Sequence, residues 1–124
     1  MKQSFLLLFT SILLLSCDKL PELNGFDREA WVLDLDGCEN NRLALIDTIL
    51  VQQDKLKGLG QNQVIEILGK ADQHELYERS QKFFIYHLQP GRNCANYTGK
   101  YFKAFYIRFN SLNQAVDFTI QEVN

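Results

Sequence analysis

Histidine and serine are scarce in this chain, and their scarcity removes whole classes of chemistry. The only imidazoles are His74 and His87, and neither stands four residues from another metal-binding side chain on a helical stretch, as a metalloprotease box requires. Both read as surface residues of strands. Beyond residue 17 the only serines are Ser80 and Ser111; they sit in turn-like contexts outside any G-x-S-x-G elbow, which disfavours nucleophilic catalysis. Asp34 and Asp36 lie two residues apart, but their stretch lacks the repeated acids and the closing Glu of a calcium loop, so it reads as a solvated helix end. Asn96-Tyr97-Thr98 matches a glycosylation pattern, a three-residue match that reads as accidental. No repeat or low-complexity tract is present. The composition therefore predicts no catalytic residue, no metal ligand and no cofactor.

Long apolar runs are missing as well. Phe5 to Leu15 is apolar over only eleven residues, against the roughly 20 that a membrane-crossing helix needs. Preceded by the single basic residue Lys2, the run has the build of an export signal. Its end, Leu14-Leu15-Ser16-Cys17, resembles the lipobox of bacterial lipoproteins, in which the chain is cut before the cysteine and that cysteine is acylated. The resemblance implies a signal peptide over 1–16, a lipidated tether over 17–25 starting at Cys17, and a single folded domain over 26–124. Two or three acyl chains, each contributing about 0.8 kcal/mol per buried methylene, hold such a domain stably on a membrane.

Without residues 1–16 the chain keeps twelve basic and fifteen acidic side chains, a net charge of −3, which argues against a nucleic-acid partner. The charge is also unevenly placed. Residues 18–78 hold thirteen acids and six bases, while residues 79–116 hold six bases and no acid. Such asymmetry either steers a partner or lets the two halves attract each other across the fold. With Cys17 assigned to lipid, Cys38 and Cys94 remain, too far apart for the close ligand spacing of a zinc site. The alternatives are two buried thiols or one bridge, and export to an oxidising compartment favours the bridge.

Asp27 is placed to cap a helix through FDREAWVLD that ends at Asp36-Gly37. In ENNRLALIDTILVQQDKLKG, residues Leu43, Ile46, Ile49, Leu50 and Leu56 recur near helical spacing, predicting an amphipathic helix that runs to Gly58. A short helix carrying Val64, Ile67 and Leu68 follows, closed by Gly69 in a left-handed cap. Then the pattern changes. Eleven of the fifteen aromatic residues lie between Tyr77 and Phe118, and alternation with period two predicts strands in HELYE, KFFIYHL, YFKAFYIRFN and AVDFTIQEV. NSLNQ joins the last two as a hairpin, and QPGRNCANYTG is a long loop. Tyr101, Phe105, Ile107 and Phe109 should share one face, as should Val116, Phe118 and Ile120. Helices followed by strands predict an α+β fold, with N-terminal helices packed on one face of a three- to four-stranded antiparallel sheet.

The stretch from Leu59-Gly60-Gln61-Asn62-Gln63-Val64 through Ile67-Leu68-Gly69-Lys70-Ala71-Asp72 resembles a signature of the BamE/SmpA/OmlA-like lipoproteins. Tyr86-His87-Leu88-Gln89-Pro90-Gly91 and Ile107-Arg108-Phe109-Asn110 are similar to that family's later strands. The resemblance covers about residues 55–120. Ala71 stands where the family usually has proline, and the segment FDREAWVLDLDGCENNR with Cys38 and Cys94 is more similar to a separate lipoprotein lineage sharing the fold. The resemblance implies a non-catalytic, lipid-anchored, periplasm-facing protein of the outer membrane, binding an envelope protein and accessory to outer-membrane protein assembly. An inhibitor or ligand-sensing module is the alternative, and a small hydrolase has the least support. If Phe105, Ile107 and Phe109 face the helices, then Phe102, Tyr106 and Arg108 turn to the opposite face, where aromatic and Arg side chains match the composition of protein interfaces. That face is either open to a partner or covered by Trp31 and the first helix.

Overall fold

The computed structural model describes residues 19–124. The expected signal peptide, its expected cleavage site and Cys17 lie outside the described residues. Among those described, no helix is long and apolar enough to cross a membrane.

Asp27 opens α1 (Arg28–Leu33) by accepting the Ala30 amide on Oδ1 at 3.1 Å, satisfying one of the free donors of the first turn. After a 3-10 turn over Leu35–Gly37, α2 spans Asn41–Leu50. This helix is shorter than the hydrophobic pattern suggests. The chain turns at Gln52, whose side-chain amide donates to the Thr48 carbonyl and to the Asn24 carbonyl, and a second 3-10 turn over Gln53–Lys55 carries Leu56 into the core. In α3 (Gln61–Leu68), Gln63 Oε1 accepts the Gly60 amide at 2.9 Å and Asn113, from the last hairpin, accepts the Gln61 amide. Gly69 ends it with φ +74° and ψ −180°. This is an extended conformation open essentially to glycine alone, instead of the left-handed cap expected.

Four strands follow as an antiparallel meander, β1 (Gln73–Tyr77), β2 (Gln81–His87), β3 (Phe102–Phe109) and β4 (Ala115–Val123), in the spatial order of the sequence. The α+β arrangement is therefore the expected one. One core joins the layers: Trp31, Ile46, Ile49, Leu56, Val64, Ile67 and Leu68 from the helical half meet Phe84, Tyr86, Phe105, Ile107 and Phe109 on a single sheet face. Tyr101 precedes β3 and is exposed. In β4 a bulge opposite Arg108 and Phe109 places Ala115 across from Phe109 and Phe118 across from Ile107, so Ala115 takes the inward position expected of Val116, as an extra residue in one strand requires.

Residues 19–25 differ from a free tether. Asn24 exchanges two hydrogen bonds with the Gln52 side chain at 2.8 and 2.7 Å, Lys55 Nζ donates to the Glu22 carbonyl at 3.0 Å, and Leu23 packs partly against the core. Cys38 and Cys94 form a disulfide with Cα atoms 5.4 Å apart. It ties the turn after α1 to the loop between β2 and β3.

Candidate functional site

Strand alternation fixes what the sheet offers on the side away from the helices. The pairing of Glu75 with Phe83, Phe83 with Arg108, Ile85 with Tyr106 and Arg108 with Asp117 puts these residues on the outer face. At one end it is open. Tyr77 packs edge-to-face on Phe83 at 5.4 Å between ring centres, and Phe83 does the same on Tyr106 at 5.7 Å. Beside these rings Arg108 donates to Gln81 Oε1 at 2.6 Å and stands 3.6 Å from an Asp117 oxygen. Glu75, Thr119 and Gln121 complete the rim of a shallow depression. Burial, aided by the Glu75 charge, raises the Tyr106 phenol above its ordinary pKa, so the ring presents a neutral hydroxyl.

The other end of the same face is closed. Phe102 is only 3 % exposed, with its ring 4.8 Å from the His87 ring and 6.3 Å from that of Tyr97 in the disulfide-bound loop. Of the three expected contact residues, Tyr106 and Arg108 share the open region, whereas Phe102 is buried and is withdrawn from it. Trp31 does not cover the outer face: it packs on Tyr86 and Phe105, on the helix side. The cover over half the face comes from the loop carrying Cys94, because the disulfide and the Gly91 amide, donating to the Asp36 carbonyl at 3.0 Å, hold that loop down.

Where this loop meets the start of α2 lies a cluster of buried charges. Arg42 has no exposed surface. Its Nε donates to the Trp31 carbonyl at 2.9 Å, and its Nη1 to Asp72 Oδ2 at 2.5 Å and to the His87 carbonyl at 3.3 Å. The guanidinium also lies 5.4 Å from the Trp31 ring centre and 5.7 Å from that of Tyr86. Asp72 receives two further donors, the Asp36 amide at 2.9 Å and the His87 amide at 2.7 Å. Asp34 accepts the Glu39 and Arg42 amides, so its carboxylate satisfies donors at the N-terminal end of α2. Buried, with each carboxylate oxygen accepting one amide, Asp34 is not the solvated helix end expected. The Tyr86 hydroxyl donates to the Gly69 carbonyl at 2.8 Å, and burial pushes its pKa far above the ordinary tyrosine value.

His87 also departs from expectation. Instead of standing on a strand surface it is 3 % exposed, and neither ring nitrogen has a hydrogen-bond partner. Its Nδ1 lies 3.5 Å from Asp36 Oδ1. Burial lowers its pKa, Asp72 and Asp36 act in the opposite direction, and Arg42 adds to the lowering; desolvation dominates and the ring is neutral near pH 7. Ligand atoms of Asp36, Asp72 and His87 fall within 4.8 Å of one another. His74, by contrast, stacks on Phe84 at 4.6 Å with its other side in solvent.

Arg42 and Asp72 carry this cluster, and sequence reasoning did not single them out. A signal for Arg42 exists: it precedes Ile46 and Ile49 by four and seven residues, which puts a guanidinium on the apolar stripe of α2. Comparison with known proteins finds no matching family model, no matching curated protein and no matching solved structure.

Proposed function

We propose that this chain is a non-catalytic, lipid-anchored, periplasm-facing protein of the outer membrane, which binds another envelope protein during the assembly of outer-membrane proteins. The observation that supports it is the open half of the outer sheet face. Tyr77, half exposed, continues the edge-to-face ladder of Phe83 and Tyr106, next to Arg108. Aromatic and Arg side chains dominate binding energy at protein interfaces, whereas the neutral polar rim mainly excludes water. Charge narrows the partner. Arg108 is already engaged by Gln81 and Asp117, which leaves Glu75 as the uncompensated charge at the rim. The matching surface is one that presents an apolar side chain to the rings and a cation to Glu75.

The test is site-specific photo-crosslinking in intact cells, with a photoreactive phenylalanine analogue at Tyr106 and, as a control, at Val51, which is exposed on the helical side. Crosslinks from position 106 to components of the barrel-assembly machinery, lost on Phe83→Ser, are the expected result. Capture of one soluble enzyme from position 106 favours the inhibitor reading, and equal capture from both positions removes the outer face from the argument. Labelled palmitate incorporated into the chain but not into Cys17→Ser checks the anchor.

A further inference from the structure

Burying a neutral imidazole with both nitrogens unpartnered costs free energy that a protein normally avoids by supplying a donor or acceptor. At His87 the missing partner coincides with unbalanced charge. Against the carboxylates of Asp36 and Asp72 stands one buried cation, Arg42, which leaves a surplus of one negative charge beside the imidazole. A divalent ion between the carboxylates and the ring gives Nδ1 a partner and offsets that charge. We propose that Asp36, Asp72 and His87 bind a zinc ion.

The geometry suits that ion. Zinc lies about 2.0–2.2 Å from imidazole nitrogen and carboxylate oxygen in tetrahedral coordination, so two of its ligand atoms are about 3.4 Å apart. His87 Nδ1 and Asp36 Oδ1 are 3.5 Å apart. Asp72 must draw in from within 4.8 Å, and it has the capacity to do so: a carboxylate offers about four lone-pair sites, and the Asp36 amide, the His87 amide and Arg42 occupy three. A Cβ placed on Gly91 would collide with His87 Nδ1 at 2.7 Å, so the absence of a side chain there keeps that nitrogen from being covered. Asp36, whose side chain is 29 % exposed, gives the ion a way in from solvent. One nitrogen with two carboxylates suits zinc better than calcium or magnesium, which prefer all-oxygen shells. Three protein ligands leave a fourth position for water.

Arg42 is the opposing influence, since its charge lies against Asp72. Its three hydrogen bonds keep it on the core side, so it lowers the affinity without filling the site. This proposal is independent of the partner-binding reading.

The test is calorimetric titration of zinc chloride into the chelator-treated 124-residue chain in detergent, without reductant, with thermal unfolding in parallel. One equivalent binding with micromolar or tighter affinity, together with a rise in Tm, is the expected result. Asp36→Asn, at a partly exposed position that leaves the fold intact by circular dichroism, weakens binding at least 30-fold. His87→Gln abolishes it, while His74→Gln leaves it unchanged. Absence of binding overturns the proposal, as does binding that survives Asp36→Asn and His87→Gln or that disappears with Cys17→Ser or His74→Gln.

Discussion

Replacing Arg42 by methionine isolates the electrostatic part of the buried cluster, because methionine keeps an unbranched stem between Trp31 and Tyr86 while removing the guanidinium. Three acceptors lose a donor: Asp72, the Trp31 carbonyl and the His87 carbonyl. Breaking a buried ion pair from one side costs about 3–5 kcal/mol, mostly because the other charge stays buried and unpaired. Asp72 keeps the Asp36 and His87 amides, which pulls the estimate toward the lower end. The orphaned carbonyls push it back up, at roughly 1 kcal/mol each. The loss of the guanidinium from between two aromatic rings acts in the same direction. The net expectation is a loss of about 3–5 kcal/mol, a large share of the roughly 5–15 kcal/mol that holds a domain folded. At about 4 °C per kcal/mol for a domain of this size, Tm falls by about 12–20 °C.

The molecule supplies its own probe. Trp31 is the only tryptophan, is fully buried and lies under the guanidinium, so urea unfolding can be followed by its fluorescence and cross-checked by far-UV circular dichroism. A double-mutant cycle with Asp72→Asn completes the measurement. The double variant should lose about 2 kcal/mol less than the sum of the two singles, because neither charge is then left alone. A loss under about 1 kcal/mol for Arg42→Met, or additive singles, would refute the reasoning: the charges would then be hydrated and the cluster would not be a buried ion pair.

Two further substitutions test the same corner of the fold. In Gly37→Ala the new Cβ would meet the Gln89 oxygen at 2.6 Å and the His87 carbonyl at 2.8 Å, both backbone, at φ +66°; the collision and the left-handed backbone together cost about 3 kcal/mol, measured as a Tm lower by about 12 °C. Replacing both cysteines by serine frees a loop spanning residues 38–94 and should lower stability by about 2–4 kcal/mol in urea titrations; Tyr97, between β2 and β3, and Phe102, at the start of β3, should also become accessible to limited proteolysis.

The layers of the fold were legible in the sequence because they follow from periodicity. Ile46 and Ile49 recur at helical spacing, Phe105, Ile107 and Phe109 recur at spacing two, and each set does meet the other in the core. Asp27 acts as the cap its chemistry suggests. What was not legible depends on pairings across long stretches of chain. His87 reads as a strand-surface residue because alternation says only which face it takes; its burial comes from Phe102 and the loop that the disulfide holds over it. Asp34 reads as a solvated helix end because its acceptor role involves Glu39 in the following turn and Arg42 in the next helix. The β4 bulge moved Ala115 into the place assigned to Val116, and a one-residue irregularity leaves no mark on a pattern of period two.

The two outer-face regions differ because the chain has too few apolar residues on that side to close both. The helical layer is spent on the opposite face, where Trp31, Ile46, Ile49 and Leu68 cover the aromatic strands. On the outer side, one end is closed by links that do not require a large core. Arg42 anchors Asp72 and the His87 carbonyl from the core side, while over the outer face Gly91 reaches Asp36 and Cys38 reaches Cys94. Each joins segments at least 30 residues apart, so ionic, backbone and covalent contacts here do what hydrophobic burial does elsewhere. No equivalent set reaches the other end among the described residues. There β1 is exposed along its whole length, with Leu76 82 % accessible, and an edge strand so placed is open to pairing or contact unless something covers it. The rigid corner thus fixes β2 and β3 against the helices and leaves Phe83, Tyr106 and Arg108 presented on strands whose positions are already determined, which would lower the ordering cost of the partner binding proposed above.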